Sequence, residues 1–321
     1  MKLRLLAASA AAALGVAGAA HAECGEISIT EMDWGSAIIV TQVSKFLLEQ
    51  GYGCTVTTVP AATTPALASA AETGKPDILT ELWTNGAPAY PGLIESGAII
   101  ERAKVLSDGG VEAWWIPTYL AEEHPELTTM EGILANPELV GGRFHNCPVG
   151  WTCQRISSNM ARAAGFEDAG LEDFVHGSGE TLAASIASAY DAKEPWFGYY
   201  WAPTAILGRY PMVQVDVGPH DPSAHECNSL EECPEPKLGA YPASDVTTVV
   251  TSSFAESHPA ETALMENVSF SNEMMNGLLA WQEENKASGE EAAAHFLTTQ
   301  KDVWGEWLND AAREKLSALL K

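Results

Sequence analysis

Basic residues are scarce: 17 Lys and Arg stand against 43 Asp and Glu in 321 residues, a formal net charge of -26. A phosphate backbone needs a basic surface to displace its counterions, so nucleic acid is excluded as a partner. An anionic membrane surface is disfavoured for the same reason. Catalytic signatures are missing as well. The chain has no Gly-x-Ser-x-Gly, no phosphate-cradling glycine loop followed by Lys and Ser/Thr, no His-Glu-x-x-His and no dinucleotide fingerprint. Its eight histidines are scattered singly, and carboxylates are so numerous that a pair of them identifies nothing. No CxxC pair is present, which removes the usual zinc spacing. An exported enzyme is therefore a rival class and not the first choice.

Long apolar runs are confined to one place. Leu5 through Ala20 follows Lys2 and Arg4 and leads into Ala20-His21-Ala22, a small-residue cleavage pattern. At about 16 residues the run is short of the roughly 20 that a spanning helix needs. Residues 1–22 read as a signal peptide, which makes the mature chain a soluble periplasmic protein, with no lipid anchor expected at Cys24 because Glu23 directly precedes it. Six cysteines, Cys24, Cys54, Cys147, Cys153, Cys227 and Cys233, then read as disulfides. The close pairs Cys147 with Cys153 and Cys227 with Cys233 would each close a small loop, which leaves Cys24 with Cys54.

The mature length favours two domains. Ile27 to Ile29 reads as a strand, Ser36 to Gln50 as a helix with Gly51 as its stop, and Cys54 to Val59 as a second strand. A helix through Pro65 to Glu72 and a strand at Asp77 to Leu82 complete a βαβαβ run, so an α/β fold with a parallel sheet is expected. Ligands of such sheets sit at the carboxyl ends of the strands. We place lobe 1 at residues 23–110 plus 217–321 and lobe 2 at 111–216. Residues 217–236, rich in Pro, Asp, Glu and Cys, read as an extended loop. The part after Pro259 is helical, with Trp281, Trp304 and Trp307 in amphipathic patterns that point inward.

Tryptophan is abundant, with ten in the chain. Four lie in loop-like strings: Asp33-Trp34-Gly35-Ser36, Leu82-Trp83-Thr84-Asn85-Gly86, Gly150-Trp151-Thr152-Cys153 and Tyr199-Tyr200-Trp201-Ala202-Pro203. A methylated ammonium group would explain them, because it is a cation with no N–H to donate, and π faces hold such a group where ordinary acceptors do not.

These strings resemble the OpuAC-type glycine betaine and choline binding family of ABC importers over essentially the whole mature chain. Cys147-Pro148-Val149-Gly150-Trp151-Thr152-Cys153 is similar to the family's disulfide-closed Gly-Trp loop. Phe197-Gly198-Tyr199-Tyr200-Trp201-Ala202-Pro203 and Leu82-Trp83-Thr84 resemble its other cage loops, and Trp34 sits where choline-type members carry a further cage residue. The resemblance implies a type II periplasmic-binding fold, two α/β lobes with a ligand cleft between them, and delivery of the solute by a monomer to a permease and its ATPase subunit.

The departures bear on the ligand. The His of proline/betaine-type members is replaced here by Ala87, and the Asp of choline-type members by Ser36. Within the family the chain is most similar to trimethylamine N-oxide-binding members, which add one carboxylate to a four-tryptophan box. That resemblance implies Glu131 for the oxide oxygen, either protonated itself or facing a protonated oxide, although Thr128-Thr129-Met130-Glu131 also reads as a capping box. Glycine betaine, choline and carnitine are the alternatives. Asp216, Asp221 and Glu226, in the acidic stretch 216–235, are candidate ligands for a structural Ca2+. An osmolyte sensor domain is the remaining rival class, and it would be joined to a membrane or signalling segment.

Overall fold

The computed structural model describes residues 24–85 and 87–321, so the expected signal peptide lies outside the described residues. Strand β1 (Glu26–Glu31) leads into α1 (Gly35–Phe46), whose Ile39, Val40 and Val43 are fully buried. The helix widens into a π turn, Leu47–Tyr52, and stops at Gly53, where φ is +79°, a conformation that only glycine adopts at no steric cost. Gly51, expected as the stop, lies inside that turn instead. A Cβ there would sit 3.3 Å from the Ala312 Cβ, so its smallness serves a close approach of the C-terminal helices.

Strand β2 (Thr55–Pro60), α2 (Thr63–Thr73) and β3 (Ile78–Trp83) complete the βαβαβ unit, with β1 parallel to both β2 and β3. Strand β3 is covered on both faces and both edges, and all of its residues are buried, Glu81 included. After α3 (Ala89–Glu95) comes β4 (Ile99–Pro117), a strand of 19 residues that joins the two halves of the molecule. From Ile99 to Gly110 it pairs antiparallel with β9 (Ser244–Thr251); from Val111 to Trp115 it pairs with β7 (Gly198–Ala202). The partner changes at Gly110-Val111.

Lobe 2 then adds α4 (Thr118–Glu123), α5 (Met130–Ala135), β5 (Arg143–Asn146), α6 (Thr152–Ala164), α7 (Phe166–Ala169), β6 (Glu172–Val175), α8 (Gly179–Ala192), α9 (Ala205–Arg209) and β8 (Met212–Gln214). The strand order is β2-β1-β3-β9-β4-β7-β5-β6, with β8 pairing along the far end of β4. Trp114, Phe144, Phe166 and Phe197 pack ring to ring at centroid distances of 4.5 to 6.2 Å and form the lobe's core.

Residues 217–243 differ from expectation in structure and in place. They contain a helix, α10 (Pro222–Asn228), and they pack on lobe 2 rather than returning to lobe 1. The reason is polar: Asn159 of α6 donates to the Asn228 and Leu230 carbonyls at 2.9 and 3.0 Å, Arg155 to the Ser229 carbonyl and Arg162 to that of Cys233. Composition alone marks such a stretch as irregular and does not say which lobe satisfies its carbonyls. The chain re-enters lobe 1 with β9, followed by α11 (Ser252–Ser257), α12 (Pro259–Asn267), α13 (Asn272–Asn285) and α14 (Gly289–Thr299). Trp304 and Trp307 are buried, and half-buried Trp281 stacks on His295 at 4.0 Å. Disulfides join Cys24 to Cys54, Cys147 to Cys153 and Cys227 to Cys233. Among the described residues no helix is long and apolar enough to cross a membrane.

Candidate functional site

Trp34 follows β1, Trp83 ends β3, and Trp151 lies in the turn between β5 and α6. Trp201 is not on a loop: it sits within β7, next to the point where β4 enters lobe 2. All four converge on one small cavity of about 20 Å3 between the lobes, lined also by Thr63, Glu112, Thr152, Cys153 and Tyr199. Trp34 of lobe 1 meets Trp151 of lobe 2 edge to face at 5.0 Å, and Trp151 meets Trp201 in the same manner at 5.2 Å. Trp201 is backed by Tyr200, stacked at 4.5 Å.

The indole N–H groups are mostly spoken for. Trp34 Nε1 donates to Glu81 Oε1 at 2.6 Å, Trp83 Nε1 to the same oxygen at 3.4 Å, and Trp151 Nε1 to Asp33 Oδ1 at 2.7 Å. These three rings therefore offer a guest faces and not donors. Ser36, the replacement for the choline-type Asp, also donates to Glu81 Oε1, at 2.6 Å. Ala87 is buried and is not part of the cavity lining.

Glu131 is not in the cavity. It is exposed in the first turn of α5, where Thr129 is the N-cap and accepts from the Gly132 N–H. The capping-box reading is off by one residue as well, because Thr128 Oγ1 donates to the Pro125 carbonyl instead. The carboxyl in the cavity wall is Glu112, the second residue of lobe 2 on β4. Tyr199 Oη donates to its Oε1 at 2.7 Å and Ser244 Oγ to its Oε2 at 2.7 Å. Burial pushes the Glu112 pKa up, against the pull of the hydrogen bonds from Ser244, Tyr199 and Asn85. Glu81, Glu112 and Asp33 were all missed in the sequence. Their one signal is adjacency: Glu81 stands two residues before Trp83, Asp33 one before Trp34, and Glu112 just after Gly109-Gly110.

The candidate calcium ligands do not gather. Asp221 caps α10, accepting from the Ser223 and Ala224 N–H groups; Asp216 accepts from the Gly218 N–H; and Glu226 is exposed on α10. Among the described residues, the group of three metal-type ligands that lies within 4.8 Å is Cys24, Cys54 and Glu261, whose cysteines are bonded to each other.

Residues 25–299 match the family model for the substrate binding domain of ABC-type glycine betaine transport systems. The chain belongs to this OpuAC family. It is 22% identical over 295 residues to the trimethylamine N-oxide-binding protein of Pelagibacter ubique (strain HTCC1062), covering 87% of this chain and 89% of that protein. Among solved structures, an ABC-transporter choline binding protein in complex with choline superposes with a TM-score of 0.75 at 17% identity, over 92% of this chain and 98% of that one. The glycine/betaine/L-proline-binding protein ProX of Borrelia burgdorferi gives 0.74 at 15% identity, over 92% and 100%. The fold is that of a type II periplasmic binding protein. This chain thus carries the substrate-binding domain of the ABC-type glycine betaine transport family, which is a family of binding proteins and not of enzymes.

Proposed function

We propose that this protein captures trimethylamine N-oxide in the periplasm and hands it to the permease and ATPase subunit of an ABC importer. The observation that carries the reading is the cavity wall itself: four indoles from two lobes around one buried carboxyl, with three of the four N–H groups turned away to acceptors. A trimethylammonium head needs faces and no acceptor. Each face contributes roughly 0.5 to 2 kcal/mol to cation binding, and burying the methyl groups adds about 0.8 kcal/mol each. Together these come to roughly 4 to 10 kcal/mol before ordering costs, a gross term on the scale of the about 8 kcal/mol net that micromolar affinity represents.

Glu112 takes the role that the sequence reading gave to Glu131. An N-oxide oxygen accepts and does not donate, so the pair must share a proton, and a buried carboxyl with a raised pKa supplies it. Trp34 and Trp83 come from lobe 1, Trp151, Trp201 and Glu112 from lobe 2. A guest touching both sets stabilises the closed cleft over the open one and shifts the population toward the form a permease reads.

Choline is the second reading, favoured by the same carboxyl: if Glu112 is ionised, a solute hydroxyl donates to it. Glycine betaine is disfavoured wherever Glu112 is ionised, since its carboxylate would then meet a like charge. Parallel calorimetric titration with trimethylamine N-oxide, glycine betaine, choline and carnitine decides among them. Tightest binding to the N-oxide is expected, and a preference for betaine overturns the assignment.

A further inference from the structure

Glu81 lies behind the cage, in the middle of the buried strand β3, with a backbone φ of +48°. L side chains rarely adopt that conformation, and such strain clusters where the surroundings impose it for function. The β3–β9 register also breaks between Leu79 and Leu82, so the strand is distorted where Glu81 sits. One oxygen, Oε1, accepts from Trp34, Ser36 and Trp83. The other, Oε2, is buried with no partner. A buried carboxyl with an empty oxygen opposes folding, and an apolar side chain would pack a central strand without that cost.

We propose that Glu81 is a positioning residue and counter-charge for the cage. Through one oxygen it fixes the Trp34 and Trp83 indoles, and its charge, passed through their N–H bonds to the ring faces, favours permanently cationic guests. This rests on the reading above that the cage holds a methylated ammonium group. An ionised Glu81 is costly in an empty cleft and is stabilised when a cation arrives, so binding of a cation expels a proton from it. Burial lifts its pKa to about 7, against hydrogen bonds from Ser36, Trp34 and Trp83 that pull it down, which puts the exchange in the neutral range.

The groups facing Glu81 are Ser36 on α1, Trp34 ahead of that helix and Trp83 on its own strand. The other titratable groups of the site are Asp33, bonded to Trp151, and Glu112, bonded to Tyr199 and Ser244. Among the described residues no Lys, Arg or His forms an ion pair with Glu81.

The test is calorimetric titration of the mature chain with tetramethylammonium, a cation with no polar tail for Glu112, in two buffers of different ionisation enthalpy. The wild-type protein is expected to release a fraction of a proton per cation near neutral pH and to bind more tightly as pH rises from 6 to 8. Glu81→Gln keeps an acceptor for the indoles and is expected to lose both effects, binding tetramethylammonium roughly tenfold more weakly at pH 8. Its loss for the net-neutral trimethylamine N-oxide should be smaller, whereas a merely structural role would weaken both alike. Glu112→Gln should leave the proton release in place. Wild-type binding without proton release, or Glu81→Gln with unchanged release, overturns the proposal. If the wild-type protein binds no methylated ammonium solute, the cage reading itself fails, which is a different result.

Discussion

Trp151 of the second lobe donates its indole N–H to Asp33 of the first at 2.7 Å, so one bond both orients a cage ring and ties the lobes together. Beside it the Thr64 N–H, in the first turn of α2, reaches the Gly150 carbonyl of the disulfide-closed loop at 3.4 Å. Both bonds run from one lobe to the other, and both act on the segment that carries Trp151.

Removing the side-chain half of that latch should weaken binding without harming either lobe. A hydrogen bond to a charged group is worth roughly 1.5 to 3 kcal/mol, so Asp33→Ala is expected to lose about tenfold or more in affinity, discounted for the exposure of Asp33. Titration measures the loss, and scattering from the saturated protein should show a larger open fraction. Unchanged affinity would mean that the bond merely accompanies closure.

Glu112 gives the N-oxide reading a pH signature. Its folded-state pKa is raised by burial, so the protonated, donating form grows as pH falls. Affinity for trimethylamine N-oxide should accordingly strengthen as pH falls, the reverse of the trend expected for a permanent cation through Glu81. Glu112→Gln retains an N–H donor and should flatten the profile. A wild-type profile that is already flat would count against proton sharing.

Lobe 2 carries its own acid sensitivity. His145 Nδ1 and His176 Nε2 are 2.9 Å apart, and His145 also stacks on Trp196 at 5.3 Å. Burial first, then the neighbouring His176 and Arg143, lowers the His145 pKa to about 3; burial and Arg143 lower that of His176. With the folded pKa values depressed, unfolding takes up protons, so the stabilising contribution is complete above about 6.5, the unfolded value, and is lost as pH falls toward 3. Thermal melts over that window should show a steeper decline for the wild type than for His145→Gln. Parallel slopes would exclude the pair as the cause.

The tryptophans were readable because their neighbours gave them away: aromatic rings beside Gly, Pro or Cys at strand ends have little core to join. The carboxyls were not. Glu81 and Glu112 are two among 43 acidic residues, and what sets them apart is burial, which depends on β3 being central and on β4 crossing between lobes. Glu131 drew attention through a local helix-start pattern, and a helix start carries no information about which cavity it faces. The acidic stretch 217–236 misled in the same way, since its packing is decided by Asn159, Arg155 and Arg162 some 70 residues earlier in the chain.

Gly110 shows how tightly the crossing strand is fitted to the cage. A Cβ built there would lie 2.3 Å from two ring carbons of Trp83, far inside contact distance, whereas at Gly92 a Cβ meets nothing within 4 Å. Trp83 cannot retreat freely, because its N–H is drawn to Glu81 and its strand is buried on every side. Gly110→Ala should therefore push the indole into the cavity or twist β4 where the lobes join. Either way the cage closes badly: affinity is expected to fall by at least tenfold, consistent with the typical 1 to 3 kcal/mol, roughly, of overpacking. Circular dichroism should remain native, and Gly92→Ala should bind like the wild type. If Gly110→Ala binds normally, Trp83 does not need its present position, and its membership in the cage would have to be given up.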